Sequence, residues 1–308
     1  MNPLRGILFK IGAVVLFVLM QTCIKAVADH VPAGETVFFR SLFALPVIVL
    51  WLAWQGQLAN GIRVNSRCVH MIRGISGTVA MGFGFAGLGL LPLPEVTAIG
   101  YAMPLLTVVF AAFILGEQVR AFRIGAVVLG MVGVLIVLWP RLGAFFADGN
   151  PGDAAALGAI CVLCSATLAA FAQITIRRMV ATETTSSIVF WFSITATVMG
   201  LLSLPFGWVV PTGTEFALLV LSGLLGGVGQ ILLTNSYRHA DASVVAPFDY
   251  TSMILALGIG YFVFAEVPTP MMLMGATLIV SAGFLIIWRE RQLGLKRGRA
   301  RPNMTPQG

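Results

Sequence analysis

Residues 6–25 read GILFKIGAVVLFVLMQTCIK, and residues 158–177 read GAICVLCSATLAAFAQITIR. Each stretch is long enough to cross a bilayer as one helix, because about 20 apolar residues at 1.5 Å each cover the hydrocarbon layer. The two also agree position by position at an offset of 152. Gly6 meets Gly158, Gln21 meets Gln173, and basic Lys25 meets basic Arg177. Outward from there, Val37-Phe38-Phe39 meets Val189-Phe190-Trp191, and Ser41 meets Ser193. At an offset of 149, Gly77 meets Gly226, Tyr101 meets Tyr250 and Glu117 meets Glu266; at 150, Gly133 meets Gly283. Polar residues are scarce in these runs, so their recurrence separates a repeat from chance likeness between apolar segments.

The whole chain of 308 residues has this character: 58% is apolar, 10% is charged, and the mean hydropathy is +0.95. A soluble domain is about a quarter charged, so a soluble enzyme and a disordered protein are excluded. A transmembrane β-barrel would alternate apolar with polar residues, and this chain does not. Windows of about 19 residues place ten spans near 8–28, 36–54, 72–91, 95–115, 123–139, 155–176, 187–206, 215–236, 242–264 and 271–288. Pro92, Pro94, Pro140, Pro151, Pro205, Pro211, Pro268 and Pro270 fall at or between span ends, where proline removes no helix hydrogen bond. Pro46, Pro104 and Pro247 fall inside spans. The expected fold class is an all-α integral membrane protein.

The net charge of +7 lies mostly in the tail, where Arg289, Arg291, Lys296, Arg297, Arg299 and Arg301 face only Glu290. No folded domain carries a basic face, which argues against a nucleic-acid partner; the lipid bilayer is the expected one. With the N-terminus inside, the inner segments hold 16 basic residues and the outer ones only Lys25, Arg40 and Arg141. The positive-inside rule then puts both termini in the cytoplasm of a multi-pass inner-membrane protein. Ala26-Val27-Ala28 resembles a signal-peptidase site, but the repeat needs the first span retained.

Each half holds five spans. Five is odd, so the second copy enters the membrane inverted, the architecture of alternating-access transporters with a site at the repeat interface. The expected domains are 1–145 for the first repeat, 151–290 for the inverted second, and 291–308 for a basic cytoplasmic tail.

Several segments resemble the drug/metabolite transporter (DMT) superfamily, EamA type: Glu35-Thr-Val-Phe-Phe-Arg-Ser41, Tyr101-Ala-Met-Pro104 running to Leu115-Gly-Glu117, and Pro247-Phe-Asp-Tyr250 running to Phe264-Ala-Glu266. The resemblance implies a substrate cavity lined mainly by spans 1–4 and 6–9, with spans 5 and 10 outside it. The stretch Cys23-Ile-Lys-Ala-Val-Ala-Asp-His30, continuing through Glu35 to Arg40-Ser-Leu-Phe-Ala44, looks most like the bacterial riboflavin transporter branch. That implies uptake of a small-molecule substrate, riboflavin; export of amino acids or other metabolites is the alternative. A channel, a scaffold and a membrane-embedded enzyme are weaker readings, and a homodimer stays open.

Charge inside a membrane is costly and marks candidate sites. Gln21 and Lys25 share one face of span 1, as Gln173 and Arg177 do on span 6. The glutamines read as cavity ligands or interhelical bonds, the cations as substrate ligands or snorkelling side chains. Arg40 lies five residues into span 2 and needs a partner, either a carboxylate or substrate. Asp249, well inside span 9, is the proton-coupling candidate, with a bond to Asn235 or Tyr237 as the structural alternative. Glu117 and Glu266 read as helix-end contacts. Phe39, Tyr101, Trp191 and Tyr250 are candidates to stack a flat ligand, with Phe38, Phe171 and Phe190 behind them. Cys23, Cys68, Cys161 and Cys164 read as packing, and no metal, cofactor or catalytic constellation is expected.

Overall fold

A computed structural model describes residues 3–56, 58, 62–116, 121–148, 154–179, 182–239 and 245–299. Glu117, Arg120, the end of the basic tail and the side chain of Arg177 lie outside the described residues.

All regular structure among the described residues is helical. The helices are α1 (Pro3–Val27), α2 (Ala33–Trp54), α3 (Arg67–Leu90), α4 (Leu93–Gly100), α5 (Ala102–Leu115), α6 (Ala121–Asp148), α7 (Ala154–Met179), α8 (Thr185–Leu201), α9 (Gly213–His239), α10 (Thr251–Phe264) and α11 (Pro270–Arg299). Short 3₁₀ turns, η1 (Leu204–Phe206) and η2 (Ala246–Tyr250), precede α9 and α10. Eight segments are long and apolar enough to cross a membrane, and two shorter apolar helices, Ser186–Leu201 and Phe248–Phe264, complete ten. The outer surface is apolar as lipid requires: Phe113, Phe262 and Trp139 are 84%, 84% and 67% exposed.

The ten expected spans are recovered with five differences. Span 5 runs on to Asp148, so Pro140 stands inside the helix and not at its end, and span 10 runs on to Arg299. Span 4 is broken into α4 and α5 at Tyr101. Pro104 has no N–H to give the Gly100 carbonyl, and Tyr101 N bonds the Ala98 carbonyl at 3.2 Å instead. Span 9 opens as a 3₁₀ turn containing Pro247. Span 7 stops at Leu201, short of the expected 206.

Hydroxyls inside the bundle turn back on their own helices, as Thr22 to Val18, Thr78 to Gly74 and Thr107 to Met103. This satisfies them without a second helix. The helices pair α1 with α9, α3 with α7, α2 with both α8 and α9, and α6 with α11. The last pair meets backbone to backbone. A methyl group on Gly133 would stand 2.8 Å from the Gly275 carbonyl oxygen. The main core joins α1 to α7, α10 and α11 around Ile24, Leu88, Leu93, Ile99, Val162 and Ile279.

Candidate functional site

A cavity of about 590 Å³ opens between α1, α3, α4–α5, α7, η2–α10 and α11. That volume is in the range of small-molecule sites. Its polar groups are few: Gln21 from α1, Thr97 and Tyr101 beside the α4–α5 break, Ser165 from α7, and Asp249, Tyr250 and Ser252 from the η2–α10 junction. Val14, Phe17, Met81, Phe85 and Val108 supply apolar wall. The break at Tyr101 matters here, because it leaves the Gly100 carbonyl free of Pro104 while Gly100 itself lines the cavity.

Tyr101 and Tyr250 meet with ring centroids 5.0 Å apart at 57°. The Tyr101 hydroxyl lies 2.6 Å from Ser252 Oγ and donates to the Asp249 carbonyl at 3.3 Å. Tyr250 also stacks on Phe284 at 5.5 Å. It can do so because residue 283 is glycine: an added Cβ would run into the Tyr250 hydroxyl. That contact brings α11, expected outside the cavity as span 10, into its wall. Among the described residues, spans 2, 7 and 8 contribute no lining residue.

Asp249 pairs with Lys10, Nζ to Oδ1 at 2.7 Å, and among the described residues it makes no bond to Asn235; the side chain of Tyr237 lies outside the described residues. The lysine side chain is 3% exposed and the aspartate 49%. The carboxylate therefore faces the cavity while its countercharge stays behind it.

Lys25 is placed elsewhere. Its ammonium pairs with Glu266 Oε1 at 2.9 Å and donates to the carbonyls of Leu88 and Leu91 at 3.2 and 2.6 Å. The other oxygen of Glu266 accepts from Leu93 N at 2.8 Å. Four helix ends are tied by one fully bonded ion pair. Glu266 follows Ala265, whose φ of 54° is left-handed, just as Gly116 (φ 66°) ends α5.

Phe39 packs with Phe43, Trp208 and Phe216, away from the cavity. Trp191 packs against Phe190 and donates its indole N–H to the Ile62 carbonyl at 2.9 Å. Gln173 is half-buried on α7 outside the lining. Arg40 is buried, 7% exposed, and its Nε has no hydrogen-bond partner. The structure thus gathers Gln21, Tyr101, Asp249 and Tyr250 of the sequence candidates, and separates Lys25, Phe39, Arg40, Gln173 and Trp191 from them.

Sequence reasoning does not find Lys10, Arg73, Thr97, Ser165 or Ser252. A signal exists for Lys10, which sits inside an apolar run; Arg73 reads as a charge at a span end, and the three hydroxyl residues give no signal.

Carboxylates also fasten the loops at the two ends of the bundle. Where α1 begins, Glu183 accepts from the backbone N–H of Asn65 and Ser66 at 2.8 and 2.9 Å and lies 3.5 Å from His70 Nε2. Burial pushes its carboxyl up, but the two N–H groups and His70 outweigh that and hold it below the usual glutamate value. Cys68, the exposed cysteine, stands two residues beyond this latch. Where α1 ends, Glu215 accepts from Thr212 N at 2.7 Å and lies 3.0 Å from His30.

Comparison with known proteins points to one family. A model of the EamA-like transporter family matches residues 4–139 and 156–288. An S-adenosylmethionine uptake transporter of Rickettsia bellii is 28% identical over 89% of this chain and 90% of its own length. A pseudopaline exporter of Pseudomonas aeruginosa is 29% identical over 90% and 94%. A riboflavin transporter of Rhizobium johnstonii is 30% identical over 84% and 82%. A solved crystal structure, 21% identical, superposes with a TM-score of 0.66 over 94% of this chain and 98% of that one, which speaks for the fold alone.

Proposed function

The chain belongs to the EamA-like transporter family of the DMT superfamily, and on that premise we propose that it carries a small organic metabolite across the bacterial inner membrane by alternating access around the cavity. The convergence of Gln21, Tyr101, Asp249 and Tyr250 on one space carries this reading, since they come from segments up to about 230 positions apart. In this reading residues 1–145 and 151–290 are inverted repeats, and 291–308 are a cytoplasmic tail. The family match falls in two stretches of similar length, and the two broken spans face each other at Tyr101 and Tyr250. Both termini lie in the cytoplasm by the charge bias.

Riboflavin uptake is the first substrate reading. The tyrosine pair offers a stacking surface for a flat ring, a contact worth about 0.5–1.5 kcal/mol beyond area, and Gln21 offers an amide for its imide edge. Saturable counterflow of riboflavin in proteoliposomes, and rescue of a riboflavin auxotroph lacking its own importer, test it. No rescue by verified membrane protein sinks the substrate; no counterflow of any metabolite in a broad panel sinks the transporter.

One observation favours the second reading, export of an amino acid or related zwitterion. Asp249 presents an acid to the cavity with Lys10 behind it, so an incoming ammonium group has a carboxylate to meet. If Asp249 also carries the coupling proton, Asp249→Asn abolishes gradient-driven accumulation and spares exchange; normal pH-driven accumulation removes that role.

A further inference from the structure

We propose that the cavity selects an organic cation, an ammonium group that carries N–H donors, over anions and over amino acids with a free carboxylate. This names the substrate class of the cavity already described, and so it rests on the transport reading. The ground for it is an imbalance between acceptors and donors. Thr97, Tyr101, Ser165 and Ser252 bring hydroxyls to the cavity wall, and each has spent its proton on the protein. Thr97 donates to the Leu93 carbonyl at 2.9 Å and Ser165 to the Ala80 carbonyl at 2.6 Å. Tyr101 and Ser252 lie 2.6 Å apart, and their oxygens are 3.3 and 2.7 Å from the Asp249 carbonyl. Either arrangement of those two protons stays inside the trio. What the four hydroxyls offer a ligand is therefore lone pairs. Gly100 adds a carbonyl that Pro104 cannot bond, and the space beside its Cα is open, since an added Cβ would meet nothing within 4 Å.

Asp249 sets the sign. Lys10 holds Oδ1 at 2.7 Å, and the other carboxylate oxygen accepts no hydrogen bond among the described residues, on a side chain that is 49% exposed. A carboxylate accepts more than one donor, so this oxygen has a bond left to receive. No Lys, Arg or His is among the described lining residues, and Lys10 is enclosed at 3% exposure. A carboxylate or phosphate brought into this space would meet no cation, and a buried anion without one is costly. Gln21 and the Tyr250 hydroxyl, which make no hydrogen bond among the described residues, supply donors that solvate a polar tail and neutralise no charge. Beside Asp249 the rings of Tyr101 and Tyr250, with centroids 5.0 Å apart, present faces that attract the same cation.

The test is thermal unfolding of the purified chain in nanodiscs, titrated with molecules of one shape: phenethylamine, its quaternary trimethyl form, phenylalanine and hydrocinnamate. The expected result is a saturable rise in Tm with the amine. The trimethyl form keeps the charge and loses the donors, so it binds about tenfold more weakly. Phenylalanine and hydrocinnamate bind more weakly still. Asp249→Asn removes the response to the amine; Asp249→Asn with Lys10→Met, which leaves no lone charge, replaces the single variant if that one fails to assemble. An absent response to the amine, an equal response to the trimethyl form or to phenylalanine, or a response that survives in the Asp249 variants overturns the proposal, and the order of the probes on the wild-type chain decides without any variant. Counterflow in proteoliposomes keeps the two readings apart. Amine binding without counterflow of any metabolite counts against transport and leaves the cation site standing, whereas counterflow of a carboxylate without amine binding sinks the cation site and leaves transport standing.

Discussion

Lys25 with Glu266 and Arg40 with Arg73 are two charge clusters inside one bundle, built on opposite terms. At the first, a cation, an anion, two carbonyls and a backbone N–H account for one another at 2.6–3.2 Å. At the second, two arginines keep buried guanidinium nitrogens without a hydrogen-bond partner. A saturated cluster is a fastener, whereas an unsaturated one costs stability. The same contrast runs through the cavity, where Lys10 is enclosed and Asp249 stays half exposed.

Substitution sharpens the contrast. Lys25→Met strands Glu266 at a buried junction, and breaking such a pair costs about 3 kcal/mol. The expected result is a large fall in Tm, partly restored by Glu266→Gln in the same chain; an unchanged Tm breaks the comparison. Arg40→Met has the opposite sign, a gain of about 1 kcal/mol from removing an unpaired buried charge, read as a higher Tm. Tyr101→Phe deletes the hydroxyl bonded to Ser252 at 2.6 Å and leaves the ring stack. It lowers stability by about 1 kcal/mol and weakens substrate affinity in counterflow. Ala265→Gly relieves a φ of 54° beside the saturated junction and raises stability by about 0.5–1 kcal/mol. The smallest effect is one of pH. Glu183 is held below the usual glutamate value by Ser66, Asn65 and His70 against the pull of burial. Its contribution is therefore present above about pH 4.3, the unfolded glutamate value, and is lost as pH falls through the lowered folded value. The protection of the Asn65 and Ser66 amides, relative to their intrinsic exchange rates, should fall across that acid window in the wild type, and Glu183→Gln should remove the dependence.

The spans were legible because each needs only its own apolar length, and Pro104 marked the region where the fourth breaks. Gln21, Tyr101, Asp249 and Tyr250 were legible as polar or aromatic residues stranded in apolar runs. What could not be read was the partner. Lys10 meets Asp249 across 239 positions, and Lys25 meets Glu266 across 241. Such pairings arise from how helices pack and leave no periodic trace in either helix. For the same reason Phe39 and Trp191, matched in sequence, sit in aromatic clusters apart from the cavity. Arg73 looked like an ordinary end-of-span charge, because nothing in its own segment tells that its guanidinium bends over Gly77 into the interior.

Cys68 gives the chain a reporter of its own. Its thiol is exposed beside the carboxylate latch that Glu183 makes with Asn65 and Ser66, while Cys23 and Cys161 are buried. A membrane-impermeant maleimide added to sealed vesicles of known sidedness therefore labels one face of the membrane first. Because the thiol is exposed with the latch in place, a single native sulfur reports the orientation of the chain without an added tag.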